Sequence, residues 1–541
     1  MTEQQIIEKL IKKAIRDKVG DKTQLKLLKY FISKKYQVPI ITNASILQVY
    51  RQMLKAKKIK KSDRIEQALQ IRSIRTLSGV AVVAVLTKPY PCPGRCAYCP
   101  TEAKMPKSYL SNEPAVMRAV LNHFDPYRQV KMRIKALQNN GHSTDKIELI
   151  VIGGTWSYLP TKYQTWFIKR CFDACNHSVS KTMAQAQIKN ERAQHRIIGI
   201  TLETRPDYIN AEEIIKMRKY GCTRVEIGIQ HLDDKVLELN KRGHGTKESV
   251  KATRLLKDAG FKICYHLMPN LPGSNTRKDF TMIKKVFADS RFRPDMLKIY
   301  PCLVTKNSLL YSWYKKGKHQ PYSDKQLFNL LIKVKEQVIP YYVRINRLIR
   351  DIPKSSIVAG NKITNLRQLL HQQGVKCKCI RCREARNKQI NPKDLKLFVD
   401  KYVASGGTEY FLSYEDKKRQ TLYAFLRLRI PSFINEKGGF KIRPAGLRIP
   451  PSRDSQPIFP VLKNSAIIRE LHTYGQLIPL QSKTTAVQHT GLGKQLMVEA
   501  EKLANQEKVK QIAVISGVGV RNYYRKLGYQ LLDTYLVKKL T

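Results

Sequence analysis

Three of the eleven cysteines lie close together, in the run KPYPCPGRCAYCP. Cys92, Cys96 and Cys99 have the spacing C-x3-C-x2-C, which offers three thiolates to one metal centre. A closed structural zinc site and most electron-transfer iron–sulfur clusters take four protein ligands. Three ligands therefore predict a [4Fe–4S] cluster with one open iron, which in radical chemistry binds S-adenosylmethionine (SAM). A zinc knuckle completed by a distant residue is the alternative interpretation.

A second cysteine group has a shorter spacing. Cys377, Cys379 and Cys382 form the pattern C-x-C-x2-C, which is typical of zinc ligands but lacks a fourth member. His371 is the candidate fourth ligand. We predict a structural zinc ion here that pins two domains together, and free thiols are the alternative.

A third motif lies near the C-terminus. The run from Gln488 to Gly493 has the form Q-x-x-G-x-G and opens an amphipathic helix. Glycines at a helix N-terminus let backbone N–H groups approach a pyrophosphate. Together with the strand-like IAVIS and the pair Tyr523-Tyr524, this pattern resembles the GNAT acetyltransferases, which bind acetyl-CoA across a splayed pair of parallel strands. Core packing is the alternative for the tyrosines.

The segment from about 76 to 350 must position the first motif. Short β-rich runs alternate there with longer helical patterns, and six strand–helix repeats predict a parallel sheet curved into a full or partial barrel. Ligands of such folds bind at the carboxyl ends of the strands. The cysteine run follows the first strand. The candidate strands are VAVVAVLT, IELIVIGG, RIIGITLET, RVEIGIQ, FKICYHLM and MLKIYP.

Three further segments complete the predicted organisation. Residues 1–75 have apolar positions at helical spacing and predict a basic helical segment that suits a nucleic-acid partner. Residues 351–395 predict a linker that contains the second cysteine group. Residues 396–541 predict a second α/β domain, which begins with the consecutive strands TEYFLSYED and TLYAFLRLRI. Within the first segment, a lysine cluster falls between helical patterns, where a nucleic-acid backbone could be gripped, although a solvated face is the alternative; it comprises Lys55, Lys57, Lys58, Lys60 and Lys61.

The charge of the chain indicates a polyanionic partner. There are 100 Lys and Arg residues against 42 Asp and Glu, which leaves a net charge of +58. Neutralising phosphates releases counterions, so nucleic acid is the expected partner. A generally basic proteome or adaptation to high salt is the alternative. The cysteines are too uneven for a disulfide framework, and no apolar run approaches the about 18 residues of a membrane span, so we expect a cytoplasmic protein.

Over nearly its whole length the chain resembles the family of Elongator catalytic subunits, in a stand-alone bacterial or archaeal form. The resemblance implies the fold class α/β, with a radical SAM partial TIM-type (β/α)6 barrel followed by a GNAT-fold acetyltransferase domain. It also implies an enzyme that forms 5-carboxymethyluridine at position 34 of tRNA. The phrases that carry it are KPYPCPGRCAYCPTE, SYLSNEPAVMRA, STDKIELIVIGGTW, ITLETRPD, VEIGIQHLDDKVLELNKRGH, MPNLPGS and VISGVGVRNYYRKLGY.

The chemistry of uracil favours this activity. Its C5 atom is too weak a nucleophile to attack a thioester at neutral pH, so a new C–C bond there requires a carbon radical. The resemblance implies that a deoxyadenosyl radical removes hydrogen from the methyl group of acetyl-CoA and that the resulting radical adds to C5. Reoxidation and thioester hydrolysis then leave the carboxymethyl group. The base must be unstacked first, which is easiest in an anticodon loop.

Two other functions stay open from the residues. The first is a protein lysine N-acetyltransferase in which the barrel is only structural, and the second is a non-catalytic tRNA-binding scaffold. Two cofactor motifs in one chain speak against the scaffold. The expected partners are the tRNA anticodon stem-loop, acetyl-CoA and an electron-donor protein, with a monomer or homodimer as the assembly and no membrane.

The resemblance assigns residues at the SAM side. It makes Cys92, Cys96 and Cys99 the cluster ligands. A loop after the second strand would hold the methionine part of SAM, and its third residue, commonly acidic in radical SAM enzymes, is a threonine here; the loop is Gly153, Gly154 and Thr155. Four residues lie at predicted strand ends, where SAM or substrate contacts or barrel salt bridges are expected; they are Glu203, Glu226, Gln230 and Lys298.

The resemblance also assigns residues at the acetyl-CoA side. Lys146 and Tyr524 are the catalytic candidates, and the tyrosine would protonate the departing CoA sulfur. Backbone amides of two segments would bind the cofactor. The predicted acetyl-CoA-binding residues are Lys146, Glu470, Leu471, His472, Thr473, Leu492, Gly493, Lys494 and Tyr524.

Overall fold

The computed structural model describes residues 1–70, 79–386, 394–435, 456–474 and 491–540. They form an N-terminal group of helices, a seven-stranded parallel sheet and a seven-stranded mixed sheet. The α/β class predicted from the sequence is therefore confirmed. Within these residues every helix is too short or too polar to cross a lipid bilayer.

The N-terminal segment is helical, as predicted. Thr2, Asp21 and Thr42 cap the first three helices, because each side chain accepts a hydrogen bond from a backbone N–H of the first turn. Apolar side chains at helical spacing form a core of their own, in which Leu10 and Tyr50 are fully buried. The helices are α1 (Glu3–Arg16), α2 (Lys22–Tyr36), α3 (Asn43–Lys55) and α4 (Asp63–Leu69).

The predicted lysine cluster occupies the end of α3 and its connection to α4. All five side chains are exposed. Lys61 pairs with Asp63 at 3.1 Å, and Lys58 lies 3.9 Å from Glu8. Surface pairs of this kind are weak, so the cluster keeps its positive potential. Its role in binding RNA stays a prediction.

The parallel sheet follows. Its strands lie side by side in chain order, as repeated strand–helix units require. All six strands predicted from the sequence are present. A seventh was not predicted, because its sequence RINR is short and contains a single apolar residue. The strands are β1 (Ala81–Leu86), β2 (Lys146–Ile152), β3 (Arg196–Thr204), β4 (Cys222–Gln230), β5 (Lys262–Leu267), β6 (Met296–Ile299) and β7 (Arg344–Arg347).

Helices cover the outer face of this half-barrel. In β2 the alternate residues Ile147, Leu149 and Val151 are buried beneath them, while Lys146 and Glu148 line a cavity on the inner face. The inner face therefore carries the polar residues. The helices are α5 (Pro114–Leu121), α6 (Pro126–Asn139), α7 (Thr161–Asn176), α8 (Met183–Asn190), α9 (Ala211–Lys219), α10 (Asp234–Leu239), α11 (Thr246–Asp258), α12 (Thr276–Ala288), α13 (Leu309–Lys315) and α14 (Asp324–Lys333).

A short connection leads to the second sheet. It contains the helices α15 (Leu366–Gln372) and α16 (Ile380–Arg383), and the second cysteine group lies around α16. Part of the predicted linker, residues 387–393, falls outside the described residues. The domain boundaries drawn from the sequence stay predictions.

The second sheet has the order β13-β14-β12-β11-β10-β9-β8. The two consecutive strands predicted from the sequence are β9 and β10, and they pair antiparallel. The strands are β8 (Leu395–Ala404), β9 (Gly407–Asp416), β10 (Leu422–Ile430), β11 (Ser465–Thr473), β12 (Gln511–Val514), β13 (Gln530–Leu532) and β14 (Tyr535–Lys539). The helices are α17 (Ser432–Asn435), α18 (Leu492–Gln506) and α19 (Arg521–Arg525).

Strands β11 and β12 form a parallel pair that separates. They pair from Ser465 with Gln511 to Ile468 with Val514, after which β11 continues to Thr473 without β12. The separation leaves the backbone of the second half of β11 unpaired on that side. This is the splayed parallel pair expected from the sequence motif.

The two sheets are packed tightly together. Gly517, which follows β12, lies so close to β3 that a Cβ atom there would be 1.9 Å from the carbonyl oxygen of Ile198. Beside it, Arg469 of β11 contacts Asp295 of the half-barrel and Glu409 of β9, all fully buried. The acetyl-CoA candidate residues are therefore held against the amino ends of the half-barrel strands.

Candidate active site

The first cysteine group lies in the loop after β1. Cys96 is buried, whereas Cys92 and Cys99 are partly exposed. The loop is fixed by backbone hydrogen bonds, from Ala97 to the carbonyl oxygen of Asn240 at 3.0 Å and from Cys99 to that of Cys96 at 3.2 Å. The three sulfurs are presented from one short loop at the carboxyl end of the sheet, as predicted for cluster ligands.

The surroundings of Cys96 favour a thiolate. A hydrogen bond from the Cys99 thiol lowers the pKa of Cys96 to about 4, and the positive charge of Arg242 contributes to the same shift. The Nη1 atom of Arg242 lies 3.5 Å from the Cys96 sulfur. Because only thiolates ligate iron, at least one ligand is already in its binding form at neutral pH.

Unpartnered polar atoms around this loop fit an anionic group. Among the described residues, buried Nη1 of Arg205, Nε of Arg242, Nε2 of His244 and Oε1 of Gln230 have no hydrogen-bond partner. Buried polar groups are normally paired, and a bound cluster with its co-substrate would supply partners. A Cβ atom on Gly94 would lie 2.4 Å from Nη1 of Arg205, so the loop is packed against this cation. The donor set fits a thiolate-ligated cluster.

The sequence analysis did not assign three of these residues. Arg205 is in the phrase ITLETRPD, and Arg242 and His244 are in NKRGH. Both phrases contributed to the resemblance, but no role was assigned to these basic side chains. A charged residue just beyond a strand end was the available signal. Gln230, which was assigned, ends β4 in the left-handed region with φ of 69°.

The predicted SAM loop lies beside the cysteine loop. Gly153 and Gly154 have φ of 134° and 94°, which side-chain-bearing residues rarely adopt. A Cβ atom on Gly153 would lie 2.1 Å from Oγ1 of Thr87. Thr155 is nearly buried, and its hydroxyl oxygen is 3.9 Å from the sulfur of Cys92. The two loops therefore share one face of the site.

A chain of charged residues crosses the inside of the half-barrel. Lys298 pairs with Glu226 and lies 3.4 Å from Glu203. His266 is 2.8 Å from Glu226, and the Tyr109 hydroxyl donates to Glu203 at 2.9 Å. Burial raises the pKa of Glu226, but the charges of Lys298 and His266 outweigh it and hold that pKa well below its usual range.

This network corrects one expectation. Glu226 lies in the middle of β4 and not at its end, because β4 extends from Cys222 to Gln230. Lys298 is the salt-bridge partner of both Glu226 and Glu203, which is the alternative that the sequence left open. The network nevertheless lines the cavity, so these residues shape its polarity.

On the acetyl-CoA side, Glu470 to Thr473 occupy the splayed half of β11. Glu470 accepts from Nε of Arg427 at 2.8 Å and lies 3.8 Å from Lys262. Burial raises the pKa of Glu470, but the charges of Lys262 and Arg427 outweigh it and hold that pKa at about 2. The side chain is therefore an anchor between sheet and half-barrel, and only its backbone is left for a ligand.

His472 is held neutral. Its ring is stacked near Phe425, with a centroid distance of 5.9 Å, and near Tyr474 at 4.4 Å. Burial lowers the pKa of His472 to about 4. Its Nε2 atom has no partner among the described residues. A neutral imidazole with a free nitrogen thus faces the cavity.

The predicted pyrophosphate motif is partly described. Gln488, His489 and Thr490 lie outside the described residues. Gly491 precedes α18 with φ of 74°, and of the next three residues Leu492 is buried, Gly493 half-buried and Lys494 exposed. A Cβ atom on Gly493 would lie 3.2 Å from the Tyr523 hydroxyl, so this helix start and the tyrosine pair are neighbours.

The two catalytic candidates both line the cavity. Tyr524 is nearly buried, with ring centroids of Tyr523 and Tyr529 at 5.1 and 6.2 Å. Burial raises the pKa of Tyr524, so the phenol stays protonated and can donate a proton. Lys146 is the first residue of β2, and burial, together with the charge of Arg196, lowers its pKa.

One cavity of about 3510 Å³ joins the two sides. Its lining includes the three cysteines of the first group, Cys92, Cys96 and Cys99, and also the predicted acetyl-CoA contacts Lys146 and Tyr524. Lys146 begins β2 and the SAM loop follows its end, so the strand separates the two sides by roughly 20 Å. A group carried from one side to the other passes through the half-barrel interior.

The second cysteine group is compact. Its three sulfurs lie within 4.8 Å of one another, which suits one tetrahedral ion with metal–sulfur bonds of about 2.3 Å. Hydrogen bonds from Cys377 and Cys382 hold the pKa of Cys379 well below its usual range. Among the described residues no fourth ligand joins the group, and His371, the predicted candidate, is exposed on α15 outside it.

Sequence profiles and curated relatives match this chain. The profile of the Radical SAM superfamily matches residues 90–283, and that of the Radical_SAM C-terminal domain matches residues 294–374. A tRNA uridine(34) acetyltransferase of Methanocaldococcus infernus is 42% identical, over 99% of this chain and 98% of the relative. Elongator complex protein 3 of Homo sapiens is 39% identical, over 87% of this chain and 86% of the relative.

A solved structure is also similar. It is the archaeal Elp3 of Methanocaldococcus infernus with an N-terminal deletion. The two chains are 41% identical, and the match covers 86% of this chain and all of that one, with a TM-score of 0.71. The similarity therefore extends from the half-barrel into the second sheet.

Proposed function

The chain belongs to the family of tRNA uridine(34) acetyltransferases and Elongator complex protein 3, and from this membership we propose that it carboxymethylates the wobble uridine of tRNA. SAM and acetyl-CoA are the co-substrates. The observation that carries the proposal is the single cavity lined by both the cysteine loop and the splayed half of β11. A protein lysine N-acetyltransferase is not favoured, because it would leave the cysteine loop without a use.

The residues of the cysteine loop hold the cluster. Cys92, Cys96 and Cys99 are its ligands, and a cluster with SAM supplies, when bound, a carbon radical that removes a hydrogen atom. Arg205 and Arg242 balance the negative charge of the thiolates. Each of them has a buried nitrogen without a hydrogen-bond partner among the described residues, so a bound anionic group would satisfy donors that are already in place.

The residues of the second sheet bind the thioester. The N–H groups at the start of α18 bind the pyrophosphate, where the helix dipole favours an anion. Lys146 donates a hydrogen bond to acetyl-CoA from the half-barrel side, and Tyr524 gives a proton to the departing sulfur. Backbone groups of the splayed β11 hold the pantetheine arm. The proposed contacts are Glu470, Leu471, His472, Thr473, Leu492, Gly493 and Lys494.

The RNA substrate accounts for the charge of the chain. A net charge of +58 gives a strong attraction for a polyanion. The exposed lysine cluster after α3 grips the phosphate backbone of tRNA. The wobble base leaves its stack and enters the cavity, because C5 of a stacked base is not accessible.

A structural zinc ion completes the proposal. Cys377, Cys379 and Cys382 are its ligands, and the ion ties the half-barrel to the second sheet. Metal analysis of the purified protein should find about one zinc per chain, and Cys379→Ser should lose it while Cys171→Ser keeps it. Zinc content that is unchanged in Cys379→Ser would overturn this part.

Three further points belong to the same proposal. An electron-donor protein reduces the cluster, because cleavage of SAM requires an electron that no described residue supplies. The assembly is a monomer or a homodimer. The protein acts in the cytoplasm, where tRNA and both co-substrates are present.

The decisive assay measures the modified nucleoside. Anaerobically reconstituted protein is incubated with a reductant, SAM, tRNA and acetyl-CoA labelled with carbon-13 in both acetyl carbons. Digestion to nucleosides should give 5-carboxymethyluridine that carries both labelled carbons and that requires SAM. Acetylated lysine without labelled nucleoside would refute the proposal.

A further inference from the structure

Three tyrosines stand in a row at the carboxyl ends of β1, β2 and β3. Each of these neighbouring strands is followed by a loop that contributes one tyrosine to the row: Tyr90 after β1, Tyr158 after β2 and Tyr208 after β3. The ring centroids of Tyr90 and Tyr158 are 6.1 Å apart, and those of Tyr158 and Tyr208 are 5.8 Å apart. We call these three residues the tyrosine ladder.

The ladder is open to solvent. Tyr90 is 37% exposed and Tyr158 is 41% exposed, while Tyr208 is half-buried. The ring planes meet at 62° and 83°, so neighbouring rings pack edge to face instead of in a parallel stack. A contiguous group of exposed aromatic rings is uncommon on a protein surface and marks a binding site.

The ladder adjoins the mouth of the cavity. Cys92, Thr155 and Arg205 line the cavity, and each is two or three residues from one tyrosine of the ladder. The sulfur of Cys92 and the hydroxyl oxygen of Thr155 are 3.9 Å apart, which joins the first two loops at this point. A ligand on the ladder would therefore lie beside whatever enters the cavity.

The charge around the ladder is positive. Lys88 and Arg95 on the first loop and Lys162 at the start of α7 are exposed. The acidic residue that precedes Tyr208, Asp207, is paired with Arg205, with hydrogen bonds of 3.0 and 2.8 Å. Exposed aromatic faces among cations match a chain that has both flat bases and phosphates, which is single-stranded nucleic acid.

We propose that the tyrosine ladder is a stacking platform for the unpaired bases that flank the target base in an RNA loop. The inference rests on the proposed function, because it names the surface that holds the anticodon loop while the wobble base occupies the cavity. Unstacking that base removes its neighbours' stacking partner, and the tyrosine faces replace it. Stacking on an aromatic face tolerates any base, so the platform selects loop shape rather than sequence.

The first experiment measures binding of an anticodon stem-loop by fluorescence anisotropy. Tyr158→Ala should weaken binding about 5- to 150-fold, the range expected for one lost base stack, and Tyr158→Phe should stay within about twofold of the wild type. Tyr90→Ala gives an independent variant of the same surface. Leu532→Ala, which removes a side chain of similar exposure on β13, serves as the matched control and should bind normally.

A thermodynamic cycle isolates the stacking contact. Binding is repeated with a stem-loop in which the loop bases flanking the wobble position are replaced by abasic sites. The wild type should lose affinity for this RNA, and Tyr158→Ala should lose little more, because the partner of the ring is already absent. The slope of affinity against salt should be the same for all variants, since the ring releases no counterions.

The outcomes separate the two proposals. If the wild type and both alanine variants bind the unmodified stem-loop equally well, and the wild type still modifies tRNA, the platform is overturned and the proposed function stands. Additive losses from Tyr158→Ala and the abasic sites also overturn it, because the ring and the bases then act independently. A wild-type protein that binds the loop no better than a plain duplex and forms no modified nucleoside overturns the proposed function itself.

Discussion

Arg469 of β11 donates from both terminal nitrogens to the carboxylate of Asp295, the residue that precedes β6. The Nη1 to Oδ1 distance is 3.0 Å, and both side chains are fully buried. The same buried group contains Glu409, Lys257, Arg427 and Arg429, and Lys257 lies 3.5 Å from Asp295. The next residue after Arg469 is Glu470, so this buried ionic group fixes the acetyl-CoA strand to the half-barrel.

Removal of this contact should destabilise the whole chain. Arg469→Met removes the donor that binds both carboxylate oxygens of Asp295 and of Glu409, so these buried groups lose their hydrogen bonds, and the free energy of unfolding should fall by about 3 to 5 kcal/mol. Urea unfolding measures it. The control is Arg291→Met, because Arg291 pairs with Asp289 at the surface and should cost less than about 1 kcal/mol. Equal losses in the two variants would contradict the assignment.

Cys96→Ala should abolish the cluster and spare the thioester site. Its thiolate is a proposed ligand, so anaerobic reconstitution should give protein without the brown absorbance, without SAM cleavage and without modified tRNA. Binding of acetyl-CoA, measured by calorimetry, should stay within about twofold of the wild type. Cys171→Ala, at a buried cysteine of α7 outside the site, should reconstitute normally. A Cys96→Ala protein that still modifies tRNA would refute the ligand assignment.

Lys146→Met should have the opposite pattern. Loss of a charge-assisted hydrogen bond costs about 1.5 to 3 kcal/mol, so the Kd for acetyl-CoA should rise about tenfold or more. Iron content should not change, because Lys146 lies at the other end of β2 from the cysteine loop. Lys508→Met, at an exposed lysine after α18, is the control. Unchanged acetyl-CoA affinity in Lys146→Met would exclude the contact.

His472 should make the protein less stable in acid. Its folded-state pKa of about 4 lies below the ordinary 6.5, so the folded chain takes up this proton less readily than the unfolded chain. The contribution of the neutral His472 ring to the free energy of unfolding is complete above about pH 6.5 and declines as the pH falls towards 4. His472→Phe keeps the aromatic packing and removes the titratable group. Between pH 6.5 and 4 the free energy of unfolding of this variant should therefore fall by about 3 kcal/mol less than that of the wild type. Urea unfolding at both ends of the interval tests it, and parallel curves for variant and wild type would contradict it.

Much of the fold could be predicted because its signals are local. Runs such as IELIVIGG and RIIGITLET contain enough β-branched residues to define strands, and all six predicted strands of the half-barrel are present. The strand β7 was not predicted, because RINR has one apolar residue and its position in the sheet depends on pairing with β6. The end of β4 at Gln230 agrees with the predicted strand RVEIGIQ, so Glu226 was wrongly assigned to a strand end although it lies in the middle of that strand.

The site could be predicted in part. The spacing of the cysteines and the glycine-rich helix start indicated two cofactors, because each set of ligand groups lies within one short segment. The basic side chains Arg205, Arg242 and His244 around the cysteine loop were not assigned. They come from other loops, and no spacing in the chain relates them to Cys96.

The sequence by itself therefore predicted the chemistry of each half: thiolate ligands in one loop, a backbone anion site at one helix start and a strongly basic surface. These depend on residue type and short spacing. Only the tertiary structure decided that Lys146 and Tyr524 line the same cavity as Cys92, and that three tyrosines meet at its mouth. Such contacts join residues far apart in the chain, and they form because parallel strands place all their carboxyl ends at one edge and all their amino ends at the other.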